Sequence, residues 1–420
     1  MLEFLWTIYF VFIEPVLCHL NLVTPGFGDP TYGRAQLPYS ATEKRLIYDN
    51  PEVTVIRRKV PLPAHALADC RSWDKEKWTF VSYNVWTMEA IEQREGLHSD
   101  LVMCHGINDY AGKLVPHAHH FLKRGFRVIA IDLPSFGRSS GLHGFVPSMR
   151  INVRAMHAVI MDVRRWDEEA GLIGVAGRER KLFAEGHSMG GFTALYYAAL
   201  YAPIDPTEDG SPDLAIKKVP SAEEEAELAR RAASNGVRPE SKSLDPPPYR
   251  PCLSGVAVAA PMITISPQSR PGKATEYAAK VLRFLAGRLP FAKAIKGNVS
   301  DDPKVESEFQ ADPMTYKGLL RISTGLAILD GINELSALAS KITCPLVIHH
   351  GANDRATNPQ GSKEFFDRVG TKPSEKTLKI WPGYEHVMMK NVAGMSKADE
   401  EKRDAVLFEI GDWLVAQARK

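Results

Sequence analysis

Short apolar runs alternate with helical patterns through most of this chain, and that alternation restricts the fold more than any other feature. The runs are apolar throughout and end at Gly, Asp or Pro, which is typical of parallel strands buried on both faces. Segments between them, such as residues 151–169 and 192–199, have helical patterns. The sequence therefore predicts an α/β protein with a mostly parallel central sheet flanked by helices. The predicted strands are residues 101–104, 128–131, 182–184, 256–259, 346–350 and 378–381.

Two regions interrupt this alternation. Residues 203–251 carry an acidic and basic run inside flanks rich in Pro, Ser and Asp, which predicts a polar, flexible insertion. Residues 266–339 have amphipathic helical patterns and no predicted strand, so we expect a helical excursion from the sheet. The predicted organisation is an apolar segment 1–23, an extension 24–77, a first core part 78–202, the insertion 203–251, a core strand region 252–265, the helical region 266–339 and a second core part 340–420.

The first 23 residues are strongly apolar except at Glu3, Glu14, Pro15 and His19. A secretory signal peptide is not indicated, because the segment has no positive n-region and no small-residue cleavage site. A spanning helix needs about 20 apolar residues, and Glu14 and Pro15 interrupt this run near its middle. Two interpretations stay open, namely membrane contact through a short anchor or re-entrant segment, and packing of the segment on the domain.

Charge and cysteine usage exclude two classes of function. The net charge is +2, and the basic residues are spread along the chain, so a nucleic-acid surface is not indicated. The five cysteines are odd in number and form no CxxC pair, which argues against a zinc or redox site. A reducing, intracellular compartment is the simpler interpretation.

Residues 183–191 read FAEGHSMGG and place Ser188 between two glycines, after a predicted strand and before a predicted helix. A serine hydroxyl is a weak nucleophile, so it needs a base, an acid that orients the base, and donors for an oxyanion. On a sharp strand-to-helix turn, Gly186 and Gly190 lack side chains that would collide there. The context favours a nucleophile elbow, formed with His187, over a structural turn.

Two later loops supply the partners of this serine. Asp354 lies in GANDRATNP after the strand at 346–350, and His386 lies in PGYEHVMM after the strand at 378–381. The order Ser, acid, His is the one this fold class uses. His187 is too close along the turn to act as the base for Ser188. We therefore predict a catalytic triad of Ser188, Asp354 and His386.

The oxyanion donors of such a site are main-chain N–H groups, one after the nucleophile and one after an early strand. Met189 directly follows Ser188, and Ile107 follows the predicted strand that ends before His105 and Gly106. These positions predict an oxyanion hole made by the N–H groups of Met189 and Ile107.

Five motifs occur in chain order: HG at 105–106, DLPSFGRSSG at 132–141, GHSMGG at 186–191, GANDR at 351–355 and GYEH at 383–386. Together they resemble the monoacylglycerol lipase and lysophospholipase group of α/β-hydrolases, which are serine hydrolases. The likeness runs from about residue 78 to 413 with the insertion set aside. Three features depart from it: Glu185 stands where relatives keep an apolar strand residue, and neither the insertion nor the first 77 residues have a recognised counterpart.

The resemblance implies an α/β-hydrolase fold with a helical cap on 266–339, inserted after the sixth strand, over an apolar acyl-chain tunnel. It implies hydrolysis of a lipid ester, monoacylglycerol above all, with a lysophospholipid or a general carboxylic ester as alternatives. It assigns no metal and no organic cofactor. The cap near 278–289 and the apolar N-terminus would contact a membrane or a lipid droplet.

Other interpretations are weaker. Haloalkane dehalogenases and epoxide hydrolases resemble each other in using an aspartate at the elbow, and Ser188 argues against both. A non-catalytic lipid-binding protein would not need a Ser, an Asp and a His together. The HAHH run at 117–120 lacks a carboxylate or Cys at ligand spacing, so a helix face is expected there instead of a metal site. Asp109 fits either a polar network near the leaving group or ordinary loop capping.

Overall fold

The computed structural model describes residues 2–62, 80–171, 180–201, 251–267, 270–292 and 299–420. The predicted insertion at 203–251 lies outside these residues except at its last position, and so does the end of the predicted extension at 24–77.

An eight-stranded sheet forms the centre of the molecule, in the order β1-β2-β4-β3-β5-β6-β9-β10. β2 runs antiparallel to both of its neighbours, and all other pairs from β4 to β10 are parallel. All six predicted strands are present, so the mostly parallel sheet is confirmed. The strands are β1 (Thr54–Val60), β2 (Val81–Thr87), β3 (Ser99–Cys104), β4 (Arg127–Ile131), β5 (Lys181–His187), β6 (Gly255–Ala259), β7 (Pro290–Ala292), β8 (Leu320–Arg321), β9 (Leu346–Gly351) and β10 (Lys376–Trp381).

Helices cover both faces of this sheet. One apolar core packs the sheet against α6, α7, α10 and α11, and a second core packs the opposite face against α5 and α12. The helices are α1 (Leu2–Ile8), α2 (Glu14–His19), α3 (Ala41–Glu43), α4 (Glu89–Glu95), α5 (Val115–Leu122), α6 (Arg150–Glu169), α7 (Met189–Leu200), α8 (Lys273–Ala286), α9 (Pro303–Ala311), α10 (Ile322–Leu338), α11 (Pro359–Arg368) and α12 (Lys397–Ala418).

The helical region predicted at 266–339 contains α8, α9 and α10. It also contains β7 and β8, which pair antiparallel, so the expectation that it has no strand was wrong. Strands of three and two residues are too short to show an alternating pattern. Part of α10 packs in the first of the two cores, which includes Ala327, Ile328 and Leu335.

The N-terminal residues pack on the rest of the chain. The Glu14 carboxyl is buried, accepts hydrogen bonds from the Gly26 N–H and the Tyr32 hydroxyl, and lies 3.7 Å from Arg288 at the end of α8. Arg34 is also buried and donates to three main-chain carbonyls. Among the described residues, none of the helices combines the length and the apolar character needed to cross a bilayer.

Candidate active site

Ser188 lies at the junction of β5 and α7, with φ = 56° and ψ = −118°. A positive φ is unfavourable for a residue with a side chain, so the surrounding structure holds this turn in place. The Ser188 N–H donates to the Ala259 carbonyl, and the Ser188 carbonyl accepts from the Met262 N–H. The hydroxyl is thereby presented at the carboxyl edge of the sheet, where α/β folds place their sites.

The two glycines of this turn are required by close backbone approaches. A Cβ at Gly186 would lie 2.3 Å from the carbonyl carbon of Gly190, and a Cβ at Gly190 would lie 1.9 Å from the carbonyl oxygen of Cys104. Neither position tolerates a side chain without a backbone shift. The end of β3 therefore packs directly against the turn that carries Ser188.

A continuous hydrogen-bonded chain joins the three predicted triad residues. The Ser188 Oγ lies 3.0 Å from His386 Nε2, and His386 Nδ1 lies 2.7 Å from Asp354 Oδ2. All three side chains are buried. Asp354 follows β9 and His386 follows β10, so neighbouring parallel strands bring together residues that are far apart in sequence.

Asp354 is held by several donors besides His386. Its Oδ1 accepts from the N–H groups of Ala356 and Thr357, and its Oδ2 accepts from the Thr357 hydroxyl. The His350 Nε2 lies 3.1 Å from the same oxygen. Burial alone would raise the pKa of Asp354, but the charge of His386 and the hydrogen bonds from His350 and His386 hold it far below its usual range. The carboxylate therefore stays ionised and orients the His386 ring.

His187 does not approach Ser188 as a base. Its Nε2 lies 2.8 Å from the main-chain carbonyl of His386, and the two imidazole rings are 4.8 Å apart. Loss of hydration, followed by the charge of His386, lowers the pKa of His187 to about 3. The ring is neutral at physiological pH and donates its Nε2 proton to the carbonyl, which fixes the backbone that carries His386.

His105 shapes the loop that carries Ile107. Its Nε2 accepts from the Leu133 N–H, so its Nδ1 carries the proton and donates to the Gly106 carbonyl. Burial lowers the pKa of His105 to about 4, which keeps this arrangement at neutral pH. A Cβ at Gly106 would lie 3.7 Å from Ser188 Cβ, so this loop runs beside the nucleophile. Met189 is the first residue of α7, where helix N–H groups have no partner within the helix.

A cavity of about 720 Å³ opens above Ser188 and His386. Its apolar lining comes mainly from the region that follows β6, and its polar lining comes from residues 40–42, the loop after β3, the segment around α9 and the loop after β10. The apolar lining residues include Met262, Ile265, Ala279, Met314, Leu320, Ile322, Leu326, Ile328 and Leu329. The polar lining residues include Ser40, Thr42, Asp109, Lys113, Glu306, Glu308, Asp312 and Lys390.

Asp109 and Lys113 define the polar side. A Cβ at Gly106 would lie 3.5 Å from Asp109 Oδ2, so the Asp109 carboxyl and Ser188 flank the same point. Lys113 Nζ lies 3.2 Å from Glu308 and 3.0 Å from Asp312, both from the helical region. Burial raises the pKa of Asp109 to about 7, although the charge of Lys113 opposes the shift. The polar side can therefore accept hydrogen bonds from, and donate them to, a polar group next to the nucleophile.

Two other sequence candidates lie apart from this chemistry. Glu185 is buried in the middle of β5, and burial raises the pKa of its carboxyl to about 8. His117, His119 and His120 lie on α5, and the described residues contain no group of three His, Cys, Asp or Glu side chains that could hold a metal ion.

Sequence reasoning did not single out the supporting roles of His105, His187, His350 and Thr357. The partners of His105 and His187 lie 28 and 199 residues away along the chain, so no local pattern indicates them. The two residues that support Asp354 lie near it in sequence, but their contacts depend on the fold of the loop after β9.

A family model described as serine aminopeptidase, S33, matches residues 97–210 and 243–392, which is more than half of the chain. A monoacylglycerol lipase of Mycolicibacterium smegmatis is 26% identical over 339 residues, which cover 80% of this chain and 93% of that protein. A putative monoglyceride lipase of Schizosaccharomyces pombe is 29% identical over 140 residues, which cover 33% of this chain and 36% of that protein.

Solved structures give the same fold. The crystal structure of Paleococcus ferrophilus monoacylglycerol lipase matches with a TM-score of 0.52 at 19% identity, over 86% of this chain and 99% of the other. A soluble variant of monoglyceride lipase from Saccharomyces cerevisiae, in complex with a substrate analogue, matches with a TM-score of 0.56 at 17% identity, over 80% of this chain and 92% of the other. The α/β-hydrolase fold predicted from the sequence is confirmed.

Proposed function

Because this chain belongs to the serine aminopeptidase S33 family of hydrolases, we propose that it cleaves carboxylic esters of lipids through an acyl-enzyme on Ser188. Membership confirms the resemblance drawn from the motifs, and the chain is a monoacylglycerol lipase-like serine hydrolase. The observation that carries the proposal is the hydrogen-bonded chain from Ser188 through His386 to Asp354 beneath a cavity lined by both apolar and polar side chains.

In the proposed acylation step, His386 Nε2 takes the proton of Ser188 Oγ as this oxygen attacks the ester carbonyl. The tetrahedral oxyanion accepts hydrogen bonds from the N–H groups of Ile107 and Met189. His386 then gives its proton to the departing alcohol oxygen, and the ester C–O bond breaks. Asp354 keeps His386 in the tautomer with Nε2 free and stabilises the imidazolium.

In the proposed deacylation step, water replaces the alcohol. His386 removes one proton from this water, and the hydroxide oxygen attacks the acyl carbonyl. The second tetrahedral intermediate collapses to the fatty acid, while His386 returns the proton to Ser188 Oγ. The products are one alcohol and one carboxylic acid for each water consumed.

The substrate class proposed is a long-chain monoacylglycerol. A cavity of about 720 Å³ accommodates a ligand of intermediate size, and its apolar wall suits an acyl chain. The polar side next to Ser188 suits the glycerol that leaves. Relatives named monoacylglycerol lipase support this choice, since one covers most of the chain.

The charges of the polar side favour an uncharged alcohol over the phosphodiester of a lysophospholipid. Both lysines that line the described cavity already form ion pairs with carboxylates. Lys390 Nζ lies 3.0 Å from Asp302 and 2.8 Å from Asp399, and Lys113 is paired as described above. A phosphate beside Asp109 would therefore lose its hydration where the neighbouring lysine is already paired with carboxylates.

The experiment that tests this function compares hydrolysis of a long-chain monoacylglycerol, a lysophospholipid of the same chain, a diacylglycerol, a short soluble ester and an amino-acid arylamide. The arylamide is included because the family description names an aminopeptidase. We expect preference for the monoacylglycerol, and we expect Ser188→Ala to lower turnover by on the order of 10⁶. Activity that persists in Ser188→Ala would contradict the triad, and preference for the lysophospholipid or the arylamide would contradict the substrate.

We also propose that the protein draws its substrate from a lipid surface. The N-terminal segment and α8 both expose large apolar side chains. The ion pair between Glu14 of the first segment and Arg288, just after α8, links the two. The inner side of α8 lines the cavity through Thr275, Glu276 and Ala279, so one helix would connect the lipid surface to the site. The exposed apolar residues include Leu5, Trp6, Phe12, Val16, Leu20, Tyr277, Val281, Phe284 and Leu285.

Flotation with phosphatidylcholine vesicles tests this contact. We expect the wild-type chain to float with the vesicles and the double variant Phe284→Ser, Leu285→Ser to float less. Hydrolysis of the short soluble ester is expected to stay unchanged, because both side chains point to solvent. Lys280→Ser, at an exposed polar position of the same helix, is the matched control. Equal flotation of all three chains, or flotation of none, would refute the contact.

A further inference from the structure

Part of the cavity wall comes from a segment that precedes the family match. Residues 34–48, here called the arm, lie before residue 97, where that match begins. Four arm residues line the cavity, namely Pro38, Tyr39, Ser40 and Thr42. We propose that the arm determines which alcohol group the site accepts, an inference that rests on the ester hydrolysis proposed above.

Buried hydrogen bonds fix the start of the arm on the core. Arg34 Nε donates to the Gly137 carbonyl, and Arg34 Nη2 donates to the carbonyls of Ser139 and Gly141, at distances of 2.8–2.9 Å. In the reverse direction, Arg138 donates to the carbonyls of Ala35 and Leu37. The guanidinium of Arg138 also lies 4.3 Å from the ring centroid of Tyr39.

The middle of the arm is held just as firmly. Ser40 begins α3 with a capping box, because its Oγ accepts from the Glu43 N–H while its own N–H donates to Glu43 Oε2. Glu43 is buried, and Ile47 is fully buried in the core beside α5. Thr42, between Ser40 and Glu43, therefore occupies a fixed place in the cavity wall.

The contacts of the arm place it on the polar side of the cavity. A Cβ at Gly112 would lie 2.3 Å from Glu43 Oε1 and 2.2 Å from the Tyr110 ring, so the arm packs closely on the loop after β3. This loop carries Asp109 and Lys113. The proposal places the acyl chain along the apolar lining that follows β6, so that the alcohol that leaves Ser188 faces Asp109 and the arm.

The space beside Thr42 should therefore limit the size of the alcohol group that the site accepts. We expect Thr42→Phe to lower kcat/KM for a monoacylglycerol about tenfold or more, because the phenyl ring would displace the glycerol group from its place beside Ser188. The methyl ester of the same fatty acid has a small alcohol, and its kcat/KM should change less than about twofold. Ala41→Phe is the matched control, because Ala41 is exposed and does not line the cavity.

Thr42→Ala makes the side chain smaller instead of larger. We expect it to raise kcat/KM for a bulkier polyol ester, such as a sorbitan monoester, relative to the monoacylglycerol. Unchanged melting temperatures would establish that all variants are folded. A Thr42→Phe effect equal on the methyl ester and the monoacylglycerol, or no effect on either, would overturn the proposal. A wild-type chain that fails to hydrolyse even the methyl ester would instead refute the proposed function.

Discussion

His187 illustrates how a single residue can support an active site without contacting the ester bond that is cleaved. It lies within the glycine turn, yet its hydrogen bond reaches the carbonyl of His386 across 199 residues of sequence. Since its pKa is near 3, the ring stays neutral throughout the pH range in which a hydrolase works, and the carbonyl partner fixes the tautomer with the proton on Nε2. We infer that His187 positions the base through its main chain, while Asp354 positions it through its ring.

Replacing His187 should lower kcat with little change in KM. His187→Leu removes the donor, and loss of one neutral hydrogen bond of about 1 kcal/mol predicts an about fivefold lower kcat. His187→Gln retains an N–H near the same place and should recover most of the rate. Steady-state kinetics on a soluble ester measure both. A Gln variant as impaired as the Leu variant would show that packing, and not the hydrogen bond, matters here.

The triad candidates could be predicted because strand ends are visible in the sequence. Each of Ser188, Asp354 and His386 follows an apolar run, and parallel strands bring such ends to one edge of the sheet. The residues that support them could not be predicted, because their partners are main-chain groups distant in sequence or depend on how the loop after β9 folds. His105 is an example, since its role depends on the N–H of Leu133 in the next strand's loop.

At the scale of elements, the same reasoning explains which strands the sequence indicates. The central strands are buried on both faces, so their apolar runs are continuous. β1 reads TVIRRKV, and as an edge strand it exposes charged side chains that mask its pattern. β2 reads VSYNVWT, and its buried Ser82 and Asn84 interrupt the apolar run. Both strands were therefore absent from the prediction.

The arm is an element whose importance only the structure reveals. Arg34→Met should destabilise the protein by on the order of 3 kcal/mol, because three buried carbonyls lose their donor. Urea unfolding at neutral pH measures this change. Arg45→Met is the matched control, since Arg45 is an exposed residue of the same arm and should have little effect. Equal stability of the Arg34 variant and the wild type would mean that the arm does not depend on this guanidinium.

At the scale of the whole molecule, burial of titratable groups sets the pH dependence of stability. Burial lowers the pKa of seven described histidines below the value of the unfolded chain, and it raises the pKa of four carboxyls. The histidines are His105, His117, His119, His120, His143, His187 and His349. The carboxyls are Glu43, Asp109, Asp132 and Glu185.

The two sets act in opposite directions. Below about pH 6.5 the unfolded histidines bind protons that the folded ones do not, so acid lowers the free energy of unfolding. Above about pH 4.3 the unfolded carboxyls release protons that the folded ones retain, so rising pH lowers it as well. The seven histidines outnumber these four carboxyls, and carboxyls whose pKa is held low, such as Asp100 and Asp354, add to the loss in acid. We therefore expect maximal stability at about pH 6.5, with a steep loss toward pH 4 and a shallower loss toward pH 8.

Glu185 should account for much of the shallower loss. Its pKa near 8 means that the folded carboxyl stays protonated up to about that pH, while the unfolded one ionises above its ordinary value. Glu185→Gln removes this titration but keeps a polar group of the same shape, so the variant should gain stability over the wild type between pH 5 and pH 8, by on the order of several kcal/mol. Urea unfolding at the two pH values measures the gain, with Glu169→Gln, at an exposed position, as the control. A difference between variant and wild type that is the same at both pH values would show that the Glu185 carboxyl is already ionised inside the sheet.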